Sequence, residues 1–261
     1  MHNQREGGGY MIEWLWNGEM DCGWEDLSQL LVKTSNSFTK NMLETTSFSP
    51  NAESKALISR ECMDRFESIS GVLAELIVDG EKYQHEDLCN DSQNATKLNS
   101  WILLGSLVET TLQMFLAFYI DDYRNAKWQQ WEDFKAEQVQ KPIIDFIQKL
   151  VDDENLEAAH AKSLKNAIKE TIKEHTKEHH VQKIMLDELI QLYAALDLLK
   201  ADELACLKEI QSNRNGIHSF QSRTIGTWAD LQYCVRFFCY LMDWVLNHLP
   251  DIPDEAYYYA N

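Results

Sequence analysis

The sequence predicts an all-α protein, a helical bundle with a charged helical hairpin inserted into it. The 261 residues include only 4 prolines and 10 glycines, too few of the residues that punctuate hairpins and βα loops for a sheet-rich chain. Apolar residues make up 44% of the chain, which is enough for a core and excludes wholesale disorder. Several long stretches repeat apolar residues every three or four positions, the pattern of amphipathic helices.

We interpret residues 1–49 as a peripheral N-terminal segment. Only Trp24 to Lys33 carries a short helical pattern, and a polar run rich in serine and threonine follows from Thr34 to Ser49. We expect the tryptophans of this segment to hold it against the main body. The polar amino terminus leads into no sustained apolar run, so nothing resembles a signal peptide, and we expect a cytoplasmic protein with reduced thiols.

Residues 50–249 predict the bundle itself. A long amphipathic helix starts after Pro50 and ends near Gly80, and a polar loop follows over 81–94.

Residues 97–123 are apolar around most of their circumference, which indicates either a buried central helix or a membrane span. Glu109 and Gln113 near the middle would be costly against lipid, so we favour the buried helix and expect no membrane partner.

A charged stretch at 127–181 interleaves Glu and Lys, which predicts a solvated helical hairpin inserted into the bundle and bent near Pro142. Helices resume over 184–199 and 204–210.

The last strong helix opens at Thr227, a capping hydroxyl with Asp230 at the box position, and runs to Leu249, where Pro250 stops it. Residues 250–261 form an acidic, tyrosine-rich tail.

The most informative motif lies between the last two helices and contains Arg214, Asn215 and His218. If the segment is helical, Arg214 and His218 are one turn apart and share a face. This pair suits phosphate chemistry, because arginine offers a permanently charged fork to phosphate oxygens and histidine exchanges a proton near cellular pH. The alternative is that Arg214 and Asn215 cap a helix end while His218 is a half-buried histidine with satisfied hydrogen bonds.

These residues resemble the signature of the HEPN superfamily, the higher eukaryotes and prokaryotes nucleotide-binding domains. Members are helical bundles with an arginine, a following polar residue and a downstream histidine, often preceded by a long apolar helix that carries a glutamate, as Leu103 to Glu109 does here. The resemblance covers about 97–123 and 184–249. Only Asn215, Gly216 and Ile217 separate Arg214 from His218, a shorter spacing than is usual in catalytic members.

The resemblance implies a metal-independent endoribonuclease that acts as a homodimer, serves as a toxin or in defence against phage, and needs no cofactor. His218 would then act as general acid or base on the ribose 2′-hydroxyl, Arg214 would stabilise the pentavalent phosphate, Asn215 would help to position the site, and Glu109 would orient either one. A cognate antitoxin or inhibitor is the further partner that it implies. For Glu109 the alternative is a buried carboxylate satisfied by a neighbouring cation or hydroxyl.

The second functional hypothesis is a non-catalytic HEPN-like module that binds a nucleotide, an RNA or a protein. The net charge of −18 favours it, since such a charge repels polyanions and excludes broad coating of DNA. Lys208 to Arg236 nevertheless holds four basic residues against two acidic ones, which leaves one small basic site open to RNA.

A second candidate site is the histidine pair His175 and His179, which lie four positions apart and have Glu178 beside them. This spacing can place two imidazoles on one metal ion. No third ligand is apparent, so we favour a solvated polar helix face.

Overall fold

The computed structural model describes residues 16, 22–49, 51–78, 80–84, 91–125, 140–175, 180–217 and 225–250. Within these ranges the chain is helical and contains no strand, which confirms the all-α prediction. The chain divides into two compact units, of which the first comprises Met1–Phe118 with Ile184–Asn261 and the second comprises Tyr119–Lys183.

Eleven α-helices lie within the described ranges. They are, in chain order, α1 (Trp24–Ser47), α2 (Ala52–Leu57), α3 (Arg60–Val78), α4 (Gly80–Gln84), α5 (Asp91–Phe118), α6 (Ile120–Asn125), α7 (Lys141–Asp152), α8 (Ala158–His175), α9 (Leu186–Ala195), α10 (Ala201–Arg214) and α11 (Trp228–Asn247). Two 3₁₀ turns, Val181–Lys183 and Asn215–Ile217, complete the described elements.

Helix α5 is the central helix of the first unit. It contacts α2, α3, α9, α10 and α11, and Trp101, Leu104 and Leu112 are fully buried. This packing on several sides explains why its sequence is apolar around most of the circumference. The stretch Gln93–Phe118 is long and apolar enough to cross a membrane by length and composition, but 61% of its 18-residue apolar window is buried inside the protein. The core helix of a soluble bundle passes the same test.

Helix α1 is longer and more deeply packed than its sequence predicts. The expected helical pattern stops at Lys33, whereas α1 continues to Ser47. Hydroxyl-bearing residues of the polar run face neighbouring helices: Thr39 Oγ1 donates to Glu67 of α3, and the buried Ser35 Oγ donates to Met242 Sδ of α11 at 3.8 Å. Because small polar side chains that bond across an interface are compatible with helix packing, this segment is part of the core rather than peripheral.

The tryptophans hold the N-terminal segment as expected. Trp16 stacks on Tyr240 with ring centroids 4.9 Å apart, and Trp24 meets the edge of Trp228 at 5.8 Å. Both partners belong to α11, so aromatic contacts join the start of the chain to its last helix.

The helix expected from Pro50 to near Gly80 is in fact two helices, α2 and α3. Ile58, with φ −91° and ψ 65°, leaves the helical conformation between them. The Ser59 hydroxyl then accepts the Cys62 N–H at 3.3 Å, which satisfies a free donor at the start of α3. The polar loop expected over 81–94 is also shorter, since α4 occupies Gly80–Gln84 and α5 begins at Asp91.

The second unit contains α6 and the pair α7 and α8. Residues 153–157 connect α7 to α8, and Lys165 Nζ donates to Gln148 Oε1 across the pair at 2.8 Å. The bend expected near Pro142 is absent from this helix, because Pro142 lies in the first turn of α7. A proline there loses no intrahelical hydrogen bond and starts a helix instead of bending one.

The cap predicted for α11 is confirmed. Thr227 Oγ1 accepts the Asp230 N–H at 3.2 Å, and Asp230 Oδ2 accepts the Thr227 N–H at 2.7 Å. This reciprocal pair satisfies two backbone donors at the helix start. The helix ends at Asn247, shortly before Pro250.

Candidate functional site

Helix α10 carries Arg214 at its last position. Its first turn is fixed by Glu203, a fully buried carboxylate that accepts the Lys200 N–H at 2.5 Å and the Tyr240 hydroxyl at 2.7 Å. Because a buried carboxylate with two donors is costly to move, the start of α10 has a defined position against α11. The helix therefore presents Arg214 from a fixed element.

Arg214 pairs with Glu109 of α5. Arg214 Nη1 lies 2.5 Å from Glu109 Oε2, and the two side chains are 23% and 16% exposed. The same carboxylate oxygen accepts the backbone N–H of Leu186, in the first turn of α9, at 3.0 Å. One carboxylate thus connects three helices, and it also satisfies an N–H that has no intrahelical partner.

Two of the four residues expected in the site, Glu109 and Arg214, are therefore in contact. The contact fits the hypothesis that Glu109 orients Arg214. It equally fits the alternative that Glu109 is a buried carboxylate satisfied by a neighbouring cation. The structure distinguishes this pair from the exposed pair of Arg65 and Glu61, whose side chains are 69% and 84% exposed.

Gly105, one turn before Glu109 on α5, forms the surface against which Arg214 lies. A β-carbon at this position would lie 2.6 Å from Arg214 Cδ, 3.0 Å from its Cβ and 3.1 Å from its Cγ. Only glycine allows the aliphatic part of the arginine to approach the helix so closely. A glycine inside an otherwise apolar helix was the available sequence signal for this role.

Asn213 anchors the end of α10 and is a residue that the motif did not single out. Its buried side chain accepts the Gly226 N–H at 2.6 Å and donates to the Glu209 carbonyl at 3.0 Å. The carboxamide thereby joins the end of α10 to the backbone just before α11, thirteen positions later. The asparagine expected to position the site, Asn215, is instead the C-terminal cap residue of α10, and its backbone N–H bonds to the Gln211 carbonyl.

His218 lies outside the described residues, as do His179 and Glu178. The α-helical geometry assumed for Arg214 and His218 ends at Arg214, because residues 215–217 form a 3₁₀ turn. His175 belongs to α8, but its side chain is not among those described. Across the described ranges, no three His, Cys, Asp or Glu side chains gather as a metal site would require.

Two of the four basic residues between Lys208 and Arg236 are bound within the protein. Arg214 is paired with Glu109, which neutralises its charge. Arg236 is partly buried and donates to the Cys22 carbonyl at 2.8 Å. Lys208 is exposed, and Arg223 lies outside the described residues.

Titratable groups near the end of α10 favour their neutral forms. Burial, and secondarily the charge of Asp230, raise the pKa of the Glu209 carboxyl. Cys234 lies 3.6 Å from Cys206, sulfur to sulfur, and this hydrogen bond together with burial raises the pKa of the Cys234 thiol far above its usual range. A thiol in this environment is a poor nucleophile, so these cysteines pack the core instead of reacting.

Comparisons with protein-family models, with curated proteins and with solved structures give no significant match. The functional interpretation therefore depends on the geometry of Arg214, Glu109, Gly105 and Asn213.

Proposed function

We propose that this chain is a metal-independent endoribonuclease of the HEPN type. The observation that supports the proposal is the solvent-shielded contact between Arg214 and Glu109. These two residues lie 105 positions apart, and both were named from the sequence as members of one site. A guanidinium held by a carboxylate has a defined orientation before substrate binds, which is what stabilisation of a transition-state charge requires.

The roles follow from the chemistry of the side chains. Arginine carries five N–H donors, so a phosphate oxygen has donors left to engage beside the bond to Glu109. Arg214 stabilises the charge on the pentavalent phosphate, His218 transfers the proton of the ribose 2′-hydroxyl, and Asn215 helps to position the site. At rest the charges of Arg214 and Glu109 cancel, so the pair adds no net charge to a chain whose total is −18.

The biological setting in this proposal derives from the resemblance. In this setting the protein is a homodimer in which two motifs meet, acts as a toxin or in phage defence, and is controlled by an antitoxin or inhibitor. Light scattering coupled to size exclusion tests the dimer, and a strictly monomeric active protein contradicts a composite site.

The decisive experiment is RNA cleavage by the purified chain in EDTA. We expect Arg214→Ala and His218→Ala to lower kcat by about a hundredfold or more. Arg65→Ala and His160→Ala are matched controls, because Arg65 and His160 are 69% and 72% exposed and pair with Glu61 and Glu157 near them in the chain. Cleavage that survives both site substitutions overturns the proposal.

The second candidate is a non-catalytic module that binds RNA, a nucleotide or a protein. It is favoured by the structural use of Glu109, which already satisfies both Arg214 and the Leu186 N–H. This function predicts that wild-type protein retains RNA in a filter-binding assay and yields no product with any of several RNAs. Cleavage by wild type that His218→Ala abolishes contradicts it.

A further inference from the structure

We infer that Gly105 is the positioning residue of the site, the one that sets where the Arg214 guanidinium lies. The effect on RNA cleavage depends on the proposed function, whereas the packing of Arg214 on Gly105 does not.

The first argument is the cost of glycine inside a helix. Glycine is among the least favourable residues in a helix interior, because it loses the most backbone entropy on folding. Gly105 lies within α5, far from both helix ends and buried in the bundle. A buried glycine that lowers the stability of its helix needs a compensating contact. The contact present is with the aliphatic part of the Arg214 side chain.

The second argument is what a side chain at this position would displace. The three atoms nearest to an added β-carbon all belong to the Arg214 side chain, with Cδ at 2.6 Å, Cβ at 3.0 Å and Cγ at 3.1 Å. Cδ and Cγ can move by rotation of the side chain, whereas Cβ is fixed to the α10 backbone, so alanine at 105 would displace the arginine side chain and move the end of α10 by a few tenths of an ångström. The displaced guanidinium would then lose its present alignment with Glu109, whose carboxylate is also held by the Leu186 N–H.

Gly71 provides a matched control, because it lies inside α3 and an added β-carbon there meets nothing within 4 Å. We expect Gly71→Ala to raise the folding equilibrium constant about fivefold through helix propensity alone. Gly105→Ala should fold but fail to show this gain while Arg214 is present. In an Arg214→Ala background part of the gain should return, since Cδ and Cγ are gone and only the β-carbon of residue 214 remains near the new β-carbon.

The experiment is a double-mutant cycle of Gly105→Ala and Arg214→Ala by urea denaturation, with Gly71→Ala measured alongside. A coupling of about threefold or more between positions 105 and 214 supports the inference. A coupling factor near one, with Gly105→Ala gaining as much as Gly71→Ala, overturns it.

RNA cleavage in EDTA gives the second measurement. We expect Gly105→Ala to lower kcat about tenfold or more with little change in KM, because the arginine acts in the transition state, while Gly71→Ala retains wild-type kinetics. A wild-type kcat in Gly105→Ala overturns the positioning role. If the wild-type chain cleaves no RNA, the proposed ribonuclease fails, and the stability cycle still decides whether Gly105 positions Arg214.

Discussion

Replacing Glu109 by glutamine removes one charge from the pair with Arg214 and preserves the size of the side chain. The glutamine oxygen can still accept the Leu186 N–H, which Glu109 accepts at 3.0 Å. The substitution therefore isolates the charge of the pair from the hydrogen bond that starts α9. We expect it to lower the free energy of unfolding by about 2 kcal/mol.

The magnitude follows from the burial of the two side chains. Unit charges about 4 Å apart attract by about 4 kcal/mol at an effective dielectric constant near 20, and desolvation offsets part of this gain. With Arg214 and Glu109 only 23% and 16% exposed, the pair lies between a surface ion pair, worth about 0 to 1 kcal/mol, and a buried one, whose disruption costs about 3 to 5 kcal/mol.

The assay is urea denaturation of Glu109→Gln, Arg214→Gln and the double variant, with Glu61→Gln as the control. Glu61 pairs with Arg65 in the open, so its replacement should cost less than about 0.5 kcal/mol. We expect a coupling energy of about 1 to 2 kcal/mol between 109 and 214. A coupling energy below about 0.5 kcal/mol refutes the reasoning, because the shielded contact would then be worth no more than a surface pair.

Three further predictions concern Asn213, Asp243 and the binding of RNA. Asn213→Ala should cost about 2 kcal/mol in urea denaturation, because it leaves the partly buried Gly226 N–H without its acceptor, and unchanged stability contradicts the anchoring role. Burial raises the pKa of Asp243 above 3.8, so the folded state holds this proton more tightly and stability falls as pH rises through the folded value. Asp243→Asn should therefore stabilise the protein more at pH 7 than near pH 3.5, and an equal gain at both contradicts the shift. In RNA binding, Arg214→Gln should reduce the magnitude of the slope of log affinity against log salt concentration by about 0.7, the value for one phosphate contact to a single strand. An unchanged slope contradicts that contact.

The fold class and the strongest helices could be predicted because their signals are local. Thr227 and Asp230 form the expected capping box within one turn of each other. The all-round apolar pattern of residues 97–123 correctly indicated a central helix, although α5 ends at Phe118 and residues 120–123 belong to α6. In each case the residues that carry the pattern also form the structure. Local sequence is then sufficient to predict the element.

The length of α1 could not be predicted, because its determinants lie on other helices. Ser35 and Thr39 are polar residues of poor helix propensity, yet their hydroxyls bond to Met242 of α11 and to Glu67 of α3. Tertiary partners thus satisfy hydroxyls whose local preference is unfavourable to a helix. The break at Ile58 was missed for a related reason, since the apolar spacing continues across it while the backbone does not.

The residues of the candidate site were likewise predicted only in part. Arg214 and Glu109 were identified from side-chain chemistry and from a resemblance, and they are in contact. The motif singled out Asn215 and not Asn213. Which of these two asparagines faces the interior depends on where α10 ends. The helix ends at Arg214, so Asn213 lies on the buried side and Asn215 belongs to the following turn.

Helix α5 has to satisfy two demands that oppose each other. As the central helix it should be apolar, and as one wall of the site it carries Glu109 and Gly105, which lower its stability when considered alone. For Glu109 the conflict is resolved by Arg214 and the Leu186 N–H, which make the burial of its charge tolerable and at the same time hold the arginine. Substitutions at Glu109 therefore change stability and site geometry together. At Gly105 the two effects have opposite signs, because alanine there favours the helix and displaces the arginine. Substitutions at Glu109 and Gly105 together therefore test whether the Arg214–Glu109 pair serves folding or catalysis. If the pair serves catalysis, Gly105→Ala lowers RNA cleavage while the protein still folds.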